Sequence, residues 1–199
     1  MHVFSVEIIN YVVLCKHKIL FGEITMDLPK RKSPRLKKYD YSTPGYYFVT
    51  ICTKDKQKLL CDIVGEGLCA LPTIRLSNIG EQVKNSIEWI NSNYTDIKVD
   101  KYVIMPNHIH LIIAKLPMPC YRENLETGGH GDPPLHCEVN IGVDDVIARL
   151  KSYTTLKNGK ELWQRSFHDH IIRGKKDYQK IWEYIDTNPA RWEYDCFYI

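Results

Sequence analysis

Residues 96–113, DIKVDKYVIMPNHIHLII, constrain the fold more than any other stretch of the chain. Two runs rich in β-branched and aromatic residues flank Pro106-Asn107. Strands joined that tightly are antiparallel neighbours, so the segment predicts a strand over 96–105, a break, and a second strand carrying two histidines. Successive side chains of a strand point to opposite faces. His108 and His110 therefore share one face, while Ile109, Leu111 and Ile113 share the other. The apolar face demands a core. The histidine face presents two imidazoles to whatever lies across from it.

Other segments supply the partners for that hairpin. GYYFVTICT (45–53) follows Pro44-Gly45 and reads as a strand after a turn. From Ile74 to Asn93, Leu76, Ile79, Val83, Ile87 and Ile90 recur at helical spacing, with Ser77 or Asn78 as cap and Glu81 in the first turn. A helix resumes near Val143, with Asp144 and Asp145 at its start and Ile147, Leu150 and Tyr153 or Thr154 along one side. LWQRSFHDHIIR (162–173) reads as extended. A last helix runs from about Lys175 to Asn188, where Pro189 disfavours further helical geometry. This order predicts an α+β fold, an antiparallel sheet with helices packed on one face. Residues 116–142 hold TGGHGDPP and no periodicity, which predicts a long flexible insertion.

A chain of 199 residues, 44% apolar and 26% charged, fits one domain with decoration and can bury a real core. Net charge is only +3, so the basic character is local. PKRKSPRLKK (29–38) holds Lys30, Arg31, Lys32, Arg35, Lys37 and Lys38 and no acid. It reads either as a solvated tail or as a phosphate-binding arm. Seven cysteines form no C-x-x-C pair and are odd in number, which argues against a disulfide framework and for a reducing cytoplasm. Within residues 1–25, the run EIINYVVL is far shorter than the ~20 residues that cross a bilayer, and it lacks the leading positive charge of a signal peptide.

The chemistry candidates begin with His108 and His110. Neighbouring imidazoles on one strand face can share a metal ion but need a third partner; otherwise they are partly buried polar groups. The last helix offers partners. Tyr178, Ile181, Trp182 and Ile185 fall within roughly 50° of one direction, whereas Tyr184 falls ~120° away. Asn188 lies one turn beyond Tyr184. An off-stripe tyrosine beside an amide is a candidate nucleophile with a nearby oxygen ligand, or else a half-exposed surface tyrosine. His168 and His170 are candidate bases, or polar residues on an exposed strand edge. No Asp or Glu clusters with the histidine pair in the sequence, which disfavours a metal-dependent hydrolase.

YSTPGYYFVTICT, VIMPNHIHLII, LWQRSFHDHIIR and YIDTNPARW occur in an order and spacing that resemble the REP-associated tyrosine transposases, within the HUH single-tyrosine superfamily. The resemblance runs from about Met26 to the C-terminus. It implies a ferredoxin-like sheet, the HUH endonuclease fold, over 41–199, a basic arm over 26–40 and a non-family extension over 1–25. It further implies a metal-dependent transposase that cleaves and rejoins single-stranded DNA at or near hairpin repeats. Tyr184 would be the nucleophile, and magnesium or manganese would be held by His108, His110 and Asn188. Single-stranded or hairpin DNA would be the partner. Read from the residues, the cations at 30–38 with Arg165 and Arg173 are candidate phosphate contacts, and Trp163 is either a stacking surface or a buried core indole. A covalent phosphotyrosine keeps the phosphodiester energy, so no nucleotide cofactor is expected; the short apolar run predicts no membrane partner, and a homodimer is left open. The rival readings are a non-catalytic nucleic-acid-binding module on the same fold and a hydrolase that uses the histidines to activate water.

Overall fold

The structure, a computed structural model, describes residues 39–64, 72–117 and 140–198. The 1–25 extension, the cationic arm at 30–38 and most of the 116–142 insertion lie outside the described residues. The elements are β1 (Gly45–Cys52), β2 (Cys61–Val64), β3 (Thr73–Leu76), α1 (Asn78–Asn93), β4 (Ile97–Met105), β5 (His108–Lys115), α2 (Val143–Asn158), β6 (His168–Ile172) and α3 (Lys175–Thr187). Short 3-10 turns occupy Lys54–Lys56 and Pro189–Tyr194.

Four strands form the main sheet in the order β4-β5-β1-β6, every adjacent pair antiparallel. Leaving aside the separate β2–β3 hairpin, the order is β-α-β-β-α-β, the ferredoxin-like arrangement. The expected hairpin is present: Met105 pairs with His108 across Pro106-Asn107, and the ladder continues to Ile97 opposite Lys115. A register shift between Val99 and Lys101 adds one residue to β4.

One face of the sheet carries Tyr47, Val49, Ile51, Ile109, Leu111 and Ile113, packed against Val83, Ile87 and Ile90 of α1 and Val146, Ile147 and Leu150 of α2. Each of these side chains contributes roughly 1.5–3 kcal/mol by leaving water, so this layer dominates the stability of the domain. The Ser77 hydroxyl caps α1 by accepting from Gly80 N–H at 3.1 Å and itself donates to the Leu59 carbonyl at 2.6 Å. A Cβ on Gly80 would overlap the Leu60 carbonyl, so the first turn of α1 can lie this close to the chain only with glycine there.

Two expectations change. Ile74 and Leu76 belong to β3 rather than to the start of α1, because Ile74 pairs with Ile63 and Leu76 with Cys61. The three main helices also divide between the faces. While α1 and α2 cover the apolar face, Ile181 and Ile185 of α3 pack with Cys52, Val103, Met105 and Ile112 on the other. Gly174, at φ 96, makes the turn from β6 into α3 in a conformation that other L-residues rarely adopt.

Candidate functional site

The face covered by α3 is where the polar chemistry gathers. Cross-strand register places Val103, His110, Thr50 and His168 in one row, and Met105, His108 and Cys52 in the next. His108 is 0% and His110 1% exposed. Their Nε2 atoms face one another at 3.0 Å. Buried imidazoles resist charging. His110 is lowered to about 3, and His108 is held well below its ordinary value, first by burial and then by His110 and Lys56.

The hydrogen bonds behind the imidazoles decide what those Nε2 atoms can do. Asn107 donates its amide N–H to the Phe197 carbonyl at 2.8 Å and, at 3.3 Å, to that of Lys56. Its Oδ1 is thereby turned toward His108 Nδ1, 2.9 Å away. An amide oxygen only accepts, so His108 carries its proton on Nδ1 and leaves a lone pair on Nε2. Thr50 Oγ1 lies 2.8 Å from His110 Nδ1, and this hydroxyl, when it accepts, leaves a second lone pair on His110 Nε2. Two lone pairs aimed at one point favour a shared cation.

Oxygen atoms complete the surroundings. Asp195 Oδ2 lies 3.9 Å from His108 Nε2, while Asp195 Oδ1 accepts from the Phe197 N–H at 2.7 Å. His108, His110 and Asp195 each offer a ligand atom within 4.8 Å of one another, a group that could hold a metal ion. Burial pushes the Asp195 carboxyl above its ordinary range, and its hydrogen bonds to Phe197 and Asn188 oppose that shift. Asn188 is 3% exposed, and its Oδ1 is buried with no hydrogen-bond partner among the described residues. An orphaned acceptor on Asn188, which hydrogen-bonds Asp195, together with the two imidazoles and that carboxylate suits a divalent cation that accepts mixed N and O ligands, as manganese does.

Tyr184 reaches this group from α3. Its hydroxyl is 3.3 Å from His110 Nε2, although the residue is 41% exposed. Ile181 and Ile185 anchor the buried side of the helix, leaving Tyr184 on the flank that overhangs the imidazoles. Phe48 stacks on the His110 ring at 5.2 Å and meets the Tyr184 ring edge-on at 6.0 Å. Phe197 covers His108 at 4.5 Å. The site is an aromatic box around two imidazoles, with a phenol at its open side.

The remaining sequence candidates separate. Trp163 is 3% exposed and donates its indole N–H to Thr154 Oγ1 at 2.7 Å, so its ring is used in the core rather than offered to bases. Arg165 and Arg173 are exposed, just before and just after β6. His170 Nε2 pairs with Asp177 Oδ2 at 2.9 Å, and the hydroxyl of Tyr184 meets His110 instead. Lys30, Arg31, Lys32, Arg35, Lys37 and Lys38 lie outside the described residues. Asp195 went unrecognised in the sequence. Its only signal there is an acid a few residues beyond Asn188-Pro189, and its presence removes the argument that no carboxylate accompanies the histidines.

No family model matches the chain. A Haemophilus influenzae protein, named only "Uncharacterized protein", is 34% identical over 174 residues, which cover 85% of this chain and 93% of that one. The chain belongs to that protein's family. A solved REP-associated tyrosine transposase, bound to a REP hairpin, shares 20% identity with it at a TM-score of 0.52, over 81% of this chain and 75% of the other. That likeness shows a common fold, and it agrees with the resemblance carried by the four sequence motifs. Among the described residues no helix is long and apolar enough to cross a membrane.

Proposed function

We propose that the protein is a metal-dependent endonuclease and strand transferase of single-stranded DNA, a transposase that acts at or near hairpin repeats. The observation that carries this reading is the Tyr184 hydroxyl 3.3 Å from His110 Nε2, beside a His-His-Asp group. A lone strand histidine pair has many uses. A phenol brought to it from a separate helix has few, and covalent catalysis is the one that needs an exposed, positioned oxygen. The fold shared with a transposase bound to a REP hairpin supports the same substrate class.

In this reading His108, His110 and Asp195 would hold the cation, and Asn188 Oδ1 would supply a fourth ligand. A bound magnesium or manganese would neutralise charge on the phosphate oxygens. Tyr184 attacks the phosphorus and loses its phenolic proton to solvent, which returns one proton to the departing 3′-oxygen. A phosphorus–oxygen bond to Tyr184 forms as the bond to the 3′-oxygen breaks, and that oxygen leaves as a 3′-hydroxyl. The product is a 5′-phosphotyrosine. A phenolate is a better leaving group than an alkoxide, so attack by another 3′-hydroxyl reverses the step and rejoins strands without a nucleotide cofactor. Arg165 and Arg173, with the cations at 30–38, serve as backbone contacts.

Asp195 favours one second reading, in which the same cation activates water and Tyr184 is dispensable. A covalent-adduct assay separates the two. Purified protein, labelled single-stranded hairpin DNA and manganese are run on a denaturing gel beside Tyr184→Phe and His110→Ala. A manganese-dependent shifted band that both substitutions abolish is expected. Cleavage without any adduct, unchanged in Tyr184→Phe, would transfer the case to the hydrolase. Retained binding with neither adduct nor cleavage would leave a binding module.

A further inference from the structure

The turn between β1 and β2 holds an unusual cation. Asp55 and Lys56 both adopt left-handed backbone geometry, at φ 53 and φ 54. Aspartate tolerates that region, but lysine enters it seldom, and two such residues in succession need enforcement from their surroundings. Here the enforcement comes from the site. Asn107 donates to the Lys56 carbonyl, and Thr53 Oγ1 donates to the Gln57 carbonyl at 2.8 Å and the Asn107 carbonyl at 3.0 Å. The same Asn107 amide that sets the proton on His108 thus also pins the backbone of Lys56.

The result is an ammonium group set over the aromatic box. Lys56 Nζ lies 5.7 Å from the centre of the Phe197 ring, the ring that covers His108. Among the described residues no carboxylate stands within ion-pair distance of Lys56, whereas Lys54 pairs with Glu161 and Lys101 with Asp186. A cation held in a strained turn, without a carboxylate and beside a candidate metal group, is placed to meet an anion.

We propose that Lys56 is a phosphate-contacting residue, its ammonium holding a phosphodiester oxygen of single-stranded DNA beside the His108–His110–Asp195 group. This rests on the nuclease reading above and adds the group that takes up phosphate charge left over by the metal. Lys58, over Tyr198 at 4.7 Å, continues the same edge away from the site.

The test uses the full chain and a labelled oligothymidylate, with affinity followed by fluorescence anisotropy across a salt series. Lys56→Gln is expected to weaken binding roughly tenfold and to flatten the log–log salt slope by about 0.7, the release expected for one phosphate contact on a single strand. Lys56→Arg restores both. Lys54→Gln, which removes a neighbouring but paired cation, leaves the slope unchanged. Calorimetric manganese affinity stays within about twofold in Lys56→Gln, because the residue is not a ligand. The proposal is overturned if Lys56→Gln binds like the wild type, if Lys54→Gln loses as much, if manganese binding falls in parallel, or if the wild type ignores the probe. A missing covalent adduct with the Lys56 effect intact would instead sink the nuclease reading and leave this contact standing.

Discussion

The two faces of the main sheet are made by the same strands and do opposite work. On one, Val49, Ile51, Ile109, Leu111 and Ile113 meet two helices with no polar group among them. On the other, Phe48, Thr50, Cys52, His108 and His110 alternate in between, and a single helix closes over them. Along β5 burial is equally deep on both, since that strand is buried over its whole length. The difference is in what burial achieves. Apolar side chains gain stability from it, whereas imidazoles lose their charge and keep a lone pair that only the right ligand uses.

Substitutions on the two faces should therefore fail in different currencies. Tyr184→Phe is expected to lower the rate of strand cleavage and transfer on the order of 10^4-fold or more, with an unchanged melting temperature, because a partly exposed hydroxyl contributes little to packing. Single-turnover kinetics beside a thermal melt would check this. Leu111→Ala, one residue from His110 but on the opposite face, is expected to destabilise by about 2–5 kcal/mol while leaving manganese affinity in the folded fraction intact. Denaturant titration and calorimetry read the two effects separately. If Leu111→Ala abolished metal binding at full occupancy of the fold, the two faces would not be independent.

Asn107→Ala sharpens the comparison at the turn that joins the strands. Freed of its acceptor, His108 can exchange tautomers, and manganese affinity should fall roughly 10–100-fold. The smallest effect is that of pH on the metal-free protein. In the fold His110 is lowered to about 3, and His108 is lowered too, while unfolded histidines titrate near 6.5. The unfolded chain then binds more protons, so stability is complete above the unfolded value and is lost as pH falls through it toward the folded one. Between about pH 7 and about pH 6 the loss is expected to be about 1 kcal/mol for the pair. It should shrink in His110→Gln, as melting curves at both pH values would show.

What was legible in the sequence follows the same division. Alternation alone assigned Ile109, Leu111 and Ile113 to a core and the histidines to the reverse face, because strand periodicity is local. The stripe of α3 likewise separated Ile181 and Ile185 from Tyr184. Side-chain partnerships set by distant chain segments were illegible. Nothing local distinguishes the start of α1 from β3, whose pairing with β2 is tertiary. Nor does periodicity reveal that α3 packs on the opposite face, since that is set by contacts of Ile181 and Ile185 with distant strands. Trp163 reads from sequence equally as a stacking surface or a core indole, and only the tertiary contact with Thr154 decides for the core. Asp195 meets His108 from a 3-10 turn after Pro189, a contact that no spacing rule anticipates.

The separation of Tyr184 from His110 by 74 positions has a consequence during synthesis. The hairpin that bears the imidazoles leaves the ribosome long before α3 and Asp195 do. A chain completed only through β6 can therefore assemble the sheet and yet possess neither the phenol nor the carboxylate. In the proposed reading, a nascent or truncated chain that lacks α3 cannot link itself covalently to DNA, because the order of translation delivers Tyr184 and Asp195 after the sheet.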